Sequence, residues 1–127
     1  MVDALGMDIQ SIDEIAASLS EFGSRYTRRL FTSGEIKLCQ RNTAAQARCY
    51  AERFAAKEAV LKLLNVRALI PPWKDIEVLV ESSGRLVILL HGVAADLAHQ
   101  RGIQRISLDI SHARGSVIAV VVARPTA

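Results

Sequence analysis

Asp8, Glu58 and Lys62 combine chemical reactivity with a suggestive setting in this sequence. Glu58 and Lys62 stand four apart in residues 44–64, a stretch without Gly or Pro and rich in Ala, Leu, Glu, Lys and Arg, which reads as the longest helix. At 3.6 residues per turn, Ala51, Phe54, Ala55, Glu58, Leu61 and Lys62 share one broad face, so Glu58 falls inside an apolar stripe. A carboxylate there neutralises, pairs or takes a cation, because an unpaired buried charge is costly. Periodicity leaves two outcomes open. One is an intrahelical Glu58–Lys62 pair, worth roughly a few tenths of a kcal/mol when exposed; the other is a site for an added cation.

Asp8 supplies a second carboxylate. It lies in Leu5-Gly6-Met7-Asp8-Ile9-Gln10, whose alternation predicts a half-buried strand with Leu5, Met7 and Ile9 toward the core and Asp8 on the other side. A strand carboxylate and a helix carboxylate converging where the helix crosses the sheet make a hard oxygen site suited to Mg²⁺, which keeps several waters and recruits substrate phosphates. A single Asp near a strand end is also a common turn former. His112 follows Ser111 at the end of an alternating strand, where side chains line clefts; surface or packing duty is the plain alternative. Arg25, Arg28 and Arg29 form a local positive patch that suits an acidic protein or a phosphate chain, or is a solvated helix end.

These residues need a scaffold. Ser11 and Glu14 form a capping pattern that opens a helix carrying Ile12, Ile15, Ala16 and Leu19, which Gly23 stops; Thr32 and Glu35 open a shorter one toward Arg41. Residues 76–80 and 85–90, joined through Ser82-Ser83-Gly84, predict a hairpin. A short helix over 93–101 follows, ended by Gly102, and a second hairpin turns at Gly115 into the apolar run 117–123. The order predicts an α+β fold with helices packed on one face of an antiparallel sheet. At 127 residues, half of them hydrophobic, one domain over 1–127 is expected.

Composition narrows the function classes. No run of about 18 apolar residues occurs and the start lacks a basic-then-apolar signal, so a cytoplasmic protein with no membrane association is expected. Cys39 and Cys49 lie in helical-looking segments without metal-ligand spacing and are expected as free thiols. A formal charge of +3 and aromatics that form no basic-aromatic stripe give nucleic-acid binding little support. Walker-type loop, nucleophile elbow, GxGxxG and zinc spacing are all absent from the sequence.

Gly6-Met7-Asp8-Ile9, Arg53-Phe54-Ala55-Ala56-Lys57-Glu58-Ala59 with Lys62, and Asp109-Ile110-Ser111-His112 resemble, in order and spacing, the holo-acyl-carrier-protein synthase family. Arg29-Leu30-Phe31-Thr32 with Glu35, Asp75-Ile76-Glu77-Val78 and Leu90-His91-Gly92 extend the resemblance over nearly the whole chain. It implies the 4′-phosphopantetheinyl transferase fold and transfer of phosphopantetheine from coenzyme A to a serine of an apo acyl carrier protein, with release of adenosine 3′,5′-bisphosphate. It further implies Mg²⁺ on Asp8 and Glu58, Lys62 at the phosphates, and Glu58, directly or through a metal-bound water, assisting serine deprotonation. Arg53, Ser111 and His112 are implied at the nucleotide, in a homotrimer with each site at a subunit boundary. The family's first helix docks the carrier, which makes Arg25, Arg28 and Arg29 its electrostatic receiver.

The sequence also departs from the family. Leu64-Asn65-Val66-Arg67 replaces a Phe-Gly-Thr-Gly type loop, leaving Arg67 as a compensating coenzyme A contact where glycines let backbone approach phosphate. Glu14 stands at a usually basic position, Gly84-Arg85-Leu86 at a Gly-Lys-Pro turn, and Asp109 where a small Ser is common. The competing expectation is a catalytically impaired coenzyme A or carrier-protein binding module on the same fold.

Overall fold

The first strand pairs with the last. In the computed structural model, which describes residues 4–66 and 69–125, β1 (Leu5–Ser11) runs antiparallel to β5 (Ser116–Pro125), with Leu5 opposite Val122 and Ser11 opposite Ser116. β5 also forms a hairpin with β4 (Ile103–Ala113), giving the order β1-β5-β4. A two-stranded antiparallel ribbon of β2 (Ile76–Val80) and β3 (Leu86–Leu90) meets the sheet along β4. The helices are α1 (Ile12–Phe22), α2 (Ser24–Leu30), α3 (Ser33–Arg41), α4 (Gln46–Leu64) and α5 (Gly92–Gln100). The predicted α+β arrangement of helices on an antiparallel sheet is the one observed.

The helix starts follow their sequence signals. Ser11 Oγ accepts from the Glu14 N–H, and Thr32 with Glu35 closes a full capping box, each satisfying backbone donors that a helix start leaves free. α4 lies across β1 and β5 and touches α1, α3 and β2. It is buried almost all round, by Tyr50, Ala51, Ala55, Ala56, Ala59, Val60, Leu63 and Leu64. Its alanines let the sheet come close. A Cβ built on Gly6 would stand 1.9 Å from the Ala59 carbonyl oxygen, a backbone atom that cannot swing away. Gly6→Ala should therefore destabilise the fold by about 3 kcal/mol, read as a lower urea midpoint; an unchanged midpoint would contradict this packing.

Three expectations need correction. The faces of β1 are reversed: Leu5, Met7 and Ile9 are 62%, 47% and 55% exposed, while Gly6 is buried and Asp8 and Gln10 are half-buried on the side of α4. Alternation reports a period of two and does not say which side a helix will cover, and only the Gly6 side admits the α4 backbone. Second, Gly23 (φ 55°) ends α1 and immediately caps α2, a helix the sequence reading lacked. Third, Cys39 and Cys49 are not free thiols but a disulfide with Cα atoms 5.4 Å apart. The short 3₁₀ turn Thr43–Ala45 folds α4 back beside α3 and brings the two cysteines together.

A buried ion pair joins the layers. The Glu35 carboxylate accepts from Lys57 Nζ at 2.8 Å, from the Thr32 N–H at 2.8 Å and from the Val78 N–H at 2.9 Å. Lys57 also donates to the carbonyls of Trp73 (3.2 Å) and Ile76, so α3, α4 and β2 are tied at one point. Thr32 Oγ1 donates to Glu77 at 2.7 Å, and His91 Nε2 lies 3.0 Å from the same carboxylate. No described helix is long and apolar enough to cross a membrane.

Candidate active site

Where α4 crosses β1, the strand turns Asp8 toward the helix. Lys62, in the last turn of α4, reaches back with Nζ 2.9 Å from Asp8 Oδ1 and 3.0 Å from the Met7 carbonyl oxygen. The intrahelical pair with Glu58 does not form; Lys62 neutralises Asp8 instead. Gln10, two residues along the same face of β1, donates from Nε2 to Asp8 Oδ2 at 2.6 Å. Sequence reasoning missed Gln10, although the i+2 spacing already placed it beside Asp8.

Glu58 is half-buried one helical turn before Lys62. Burial first, then the negative charge of Asp8, pushes its carboxyl above the usual carboxylate range, with Lys62 acting in the opposite direction. The structure thus brings Asp8, Glu58 and Lys62 together, although they come from distant parts of the chain. Two carboxylates close enough to repel, with one ammonium paired to Asp8, make a hard oxygen donor set that suits a divalent cation. Among the described residues no group of three or more His, Cys, Asp or Glu converges on one point. A cation here would take two carboxylates and leave its other positions to water and phosphate, as Mg²⁺ prefers.

A second basic feature lies at the α3–α4 corner. Arg41, Arg48 and Arg53 line one cleft with Glu52 and Cys49. Arg53 is 2% exposed; its Nη1 donates to the Cys49 carbonyl at 3.2 Å, and Glu52 stands 3.8 Å away. Its Nε is buried with no hydrogen-bond partner among the described residues. Burial lowers the Arg53 pKa, opposed by Glu52 and Glu35. Sequence reasoning chose Arg53 and missed Arg41 and Arg48, because only the α3–α4 fold-back gathers helix ends into one cleft.

His112 enters this neighbourhood from the end of β4, with Nε2 2.8 Å from Glu52 Oε2. Ser111 does not join it: it pairs with Ile118 on the outer face of the sheet, since successive strand residues point to opposite sides. Arg25, Arg28 and Arg29 are exposed on α2 rather than on the first helix, with Arg28 and Arg29 in its last turn. Arg67 lies outside the described residues.

Comparison with known proteins places this geometry. Residues 4–121 match the family profile described as the 4′-phosphopantetheinyl transferase superfamily. The holo-[acyl-carrier-protein] synthase of Koribacter versatilis is 38% identical over 124 residues, covering 96% of this chain and 98% of its own. The crystal structure of holo-[acyl-carrier-protein] synthase from Neisseria meningitidis superposes with a TM-score of 0.83 at 27% identity, over 95% of this chain and 97% of that one. A Chronobacterium ammoniagenes ACPS–CoA complex superposes at 0.82 and 27% identity over 100% of both chains. The chain belongs to the 4′-phosphopantetheinyl transferase superfamily and, within it, to the holo-[acyl-carrier-protein] synthase family. It is an enzyme of phosphopantetheinyl transfer.

Proposed function

We propose that this enzyme moves 4′-phosphopantetheine from coenzyme A to a serine hydroxyl of an apo acyl carrier protein, with Mg²⁺ held by Asp8 and Glu58. The observation that carries this reading is the meeting of those two carboxylates with Lys62 at the crossing of β1 and α4. Bound there, Mg²⁺ supplies Lewis-acid neutralisation of pyrophosphate charge. The serine oxygen attacks the β-phosphorus, the bond from that phosphorus to the bridging oxygen breaks, and adenosine 3′,5′-bisphosphate leaves. Lys62 is poised to offset the charge that develops on the leaving phosphate. Glu58, whose proton affinity is raised by burial and by Asp8, is the best-placed acceptor for the serine proton, directly or through a water.

Arg41, Arg48 and Arg53 offer a cationic cleft for the phosphate-rich nucleotide of coenzyme A, with His112 beside it on Glu52, and Arg53 Nε has no partner among the described residues. The Chronobacterium ammoniagenes complex with CoA supports coenzyme A as co-substrate, and Arg67 stays a candidate contact. Ser111 would reach a nucleotide only from another subunit. Leu5, Met7, Ile9 and Val122 lie exposed on the same outer sheet face, an apolar patch that favours a homotrimer with sites at subunit boundaries. This reading places the enzyme in the cytoplasm.

Incubation with coenzyme A, Mg²⁺ and a panel of apo carrier proteins should add about 340 Da, the mass of the transferred group, to at least one of them. If no carrier gains mass and coenzyme A does not bind, the reading fails; binding without transfer would identify an impaired binding module. For the docking patch, Arg28→Glu with Arg29→Glu should raise the carrier KM about tenfold, flatten its salt dependence and leave the chemical step unchanged. An unaltered response to salt would remove α2 from carrier capture.

A further inference from the structure

Asp8 is held from two sides. Lys62 takes Oδ1 from the helix, and Gln10 takes Oδ2 along the strand at 2.6 Å, the shorter of the two contacts. An ionised carboxylate only accepts hydrogen bonds, so the Gln10 amide must present its NH₂ to Asp8. Two donors on opposite oxygens fix the plane of the carboxylate, and each oxygen keeps a lone pair for a further cation. The donors differ in kind: Lys62 brings charge, whereas Gln10 brings none. We propose that Gln10 is a positioning residue, which sets divalent-cation affinity by locking the Asp8 carboxylate in one orientation near Glu58. This rests on the reading of Asp8 and Glu58 as the cation site.

The test is Gln10→Leu, which keeps comparable bulk on this face of the strand but removes the donor. Mn²⁺ binding to the full chain, followed by electron paramagnetic resonance with coenzyme A present, should weaken about tenfold. The metal concentration for half-maximal transfer should rise by the same factor, while kcat at saturating metal stays within about twofold. Unchanged or tighter Mn²⁺ binding would overturn the proposal, as would a loss confined to kcat. A metal-free crystal structure of the variant separates this from the wider reading. If wild-type protein binds no Mn²⁺, the cation site itself is wrong; Asp8 in a single unchanged orientation in Gln10→Leu would then overturn positioning, and a reoriented or doubled Asp8 would support it.

A different observation carries a second inference. The Cys39–Cys49 disulfide ties the end of α3 to the start of α4, flanked by Arg41 and Arg48, and the Cys49 carbonyl holds Arg53. Glu35 and Lys57 anchor the first turn of α3, so the bridge anchors its other end. We infer that this disulfide is a redox switch on the arginine cleft, with the closed form keeping the three guanidinium groups spaced for coenzyme A. Cys39 is fully buried, whereas Cys49 is half-buried and lines the cleft, so a small dithiol attacks at Cys49. Its thiolate bonds to the Cys49 sulfur and Cys39 leaves as a thiolate that takes a proton. The second thiol of the reagent then displaces Cys49, leaving two protein thiols and a cyclic disulfide.

Oxidised protein, verified by thiol titration, is compared with dithiothreitol-reduced protein by calorimetry with coenzyme A. Reduction should raise the coenzyme A Kd about tenfold and reversibly, since a loosened corner must be reordered on binding. Cys39→Ser with Cys49→Ser should bind like the reduced form under both conditions. Equal Kd values, or protein that an oxidant cannot convert to the disulfide form, would overturn the switch. If neither form binds coenzyme A, the nucleotide reading of the cleft has failed, and amide exchange decides alone: faster exchange through residues 42–48 on reduction supports the switch, and unchanged exchange overturns it.

Discussion

Glu58→Gln should lower metal-dependent phosphopantetheine transfer by roughly a hundred- to a thousandfold, with the thermal midpoint nearly unchanged. The side chain is half-buried at the rim of α4 and bears no part of the Glu35–Lys57 network, so its charge can be removed without opening the core. Glutamine keeps the shape and loses both the anion and the proton acceptor. Single-turnover transfer of the pantetheinyl group, followed by mass spectrometry at saturating coenzyme A, measures this directly; a variant within about tenfold of wild type would take Glu58 out of the chemistry. The same geometry sets a pH dependence. Burial and Asp8 raise the Glu58 pKa, so its protonated form appears at higher pH than for an ordinary glutamate. Divalent-cation binding needs the ionised form and should weaken on acidification before an exposed carboxylate would protonate. A Mn²⁺ affinity flat across that range would contradict the assignment.

Lys57→Met should cost about 3–5 kcal/mol of folding stability, the range for removing one partner of a buried ion pair. Lys57 and Glu35 both have fully buried side chains, and the ammonium serves a carboxylate and two carbonyls at once. Methionine fills the space but leaves the buried Glu35 carboxyl without its ammonium partner and the carbonyls of Trp73 and Ile76 without this donor. Urea unfolding monitored through Trp73 would give the loss. Adding Glu35→Gln should recover part of it, because the uncompensated charge is then gone. A loss below about 1 kcal/mol, the scale of a surface pair, would mean that the pair is not sealed from water.

Much of the architecture was legible because its signals are local. The capping patterns at Ser11 and Thr32 open helices where expected, and the glycine-free stretch before Leu64 is the longest helix, starting at Gln46 after a 3₁₀ turn. Both hairpins lie where turn residues and alternation put them. Lys57 was passed over because a lysine within a helix reads as solvated until the helix is known to be buried on every side. Arg41 and Arg48 escaped notice for a related reason: each looks like an ordinary helix-end cation until the corner folds.

Apart from α2, the sequence by itself determined the element types and the two carboxylates worth considering, since helix periodicity, caps and side-chain chemistry are properties of short segments. Only the tertiary structure decided that Gly6, Asp8 and Gln10 lie on the α4 side of β1 while Leu5, Met7 and Ile9 face outward. It alone chose Asp8 over Glu58 as the partner of Lys62, and joined Cys39 to Cys49. Periodicity specifies spacing within one element. Partners are chosen by distance between elements, and that distance is set by how closely two backbones can pack, here at Gly6 against Ala59.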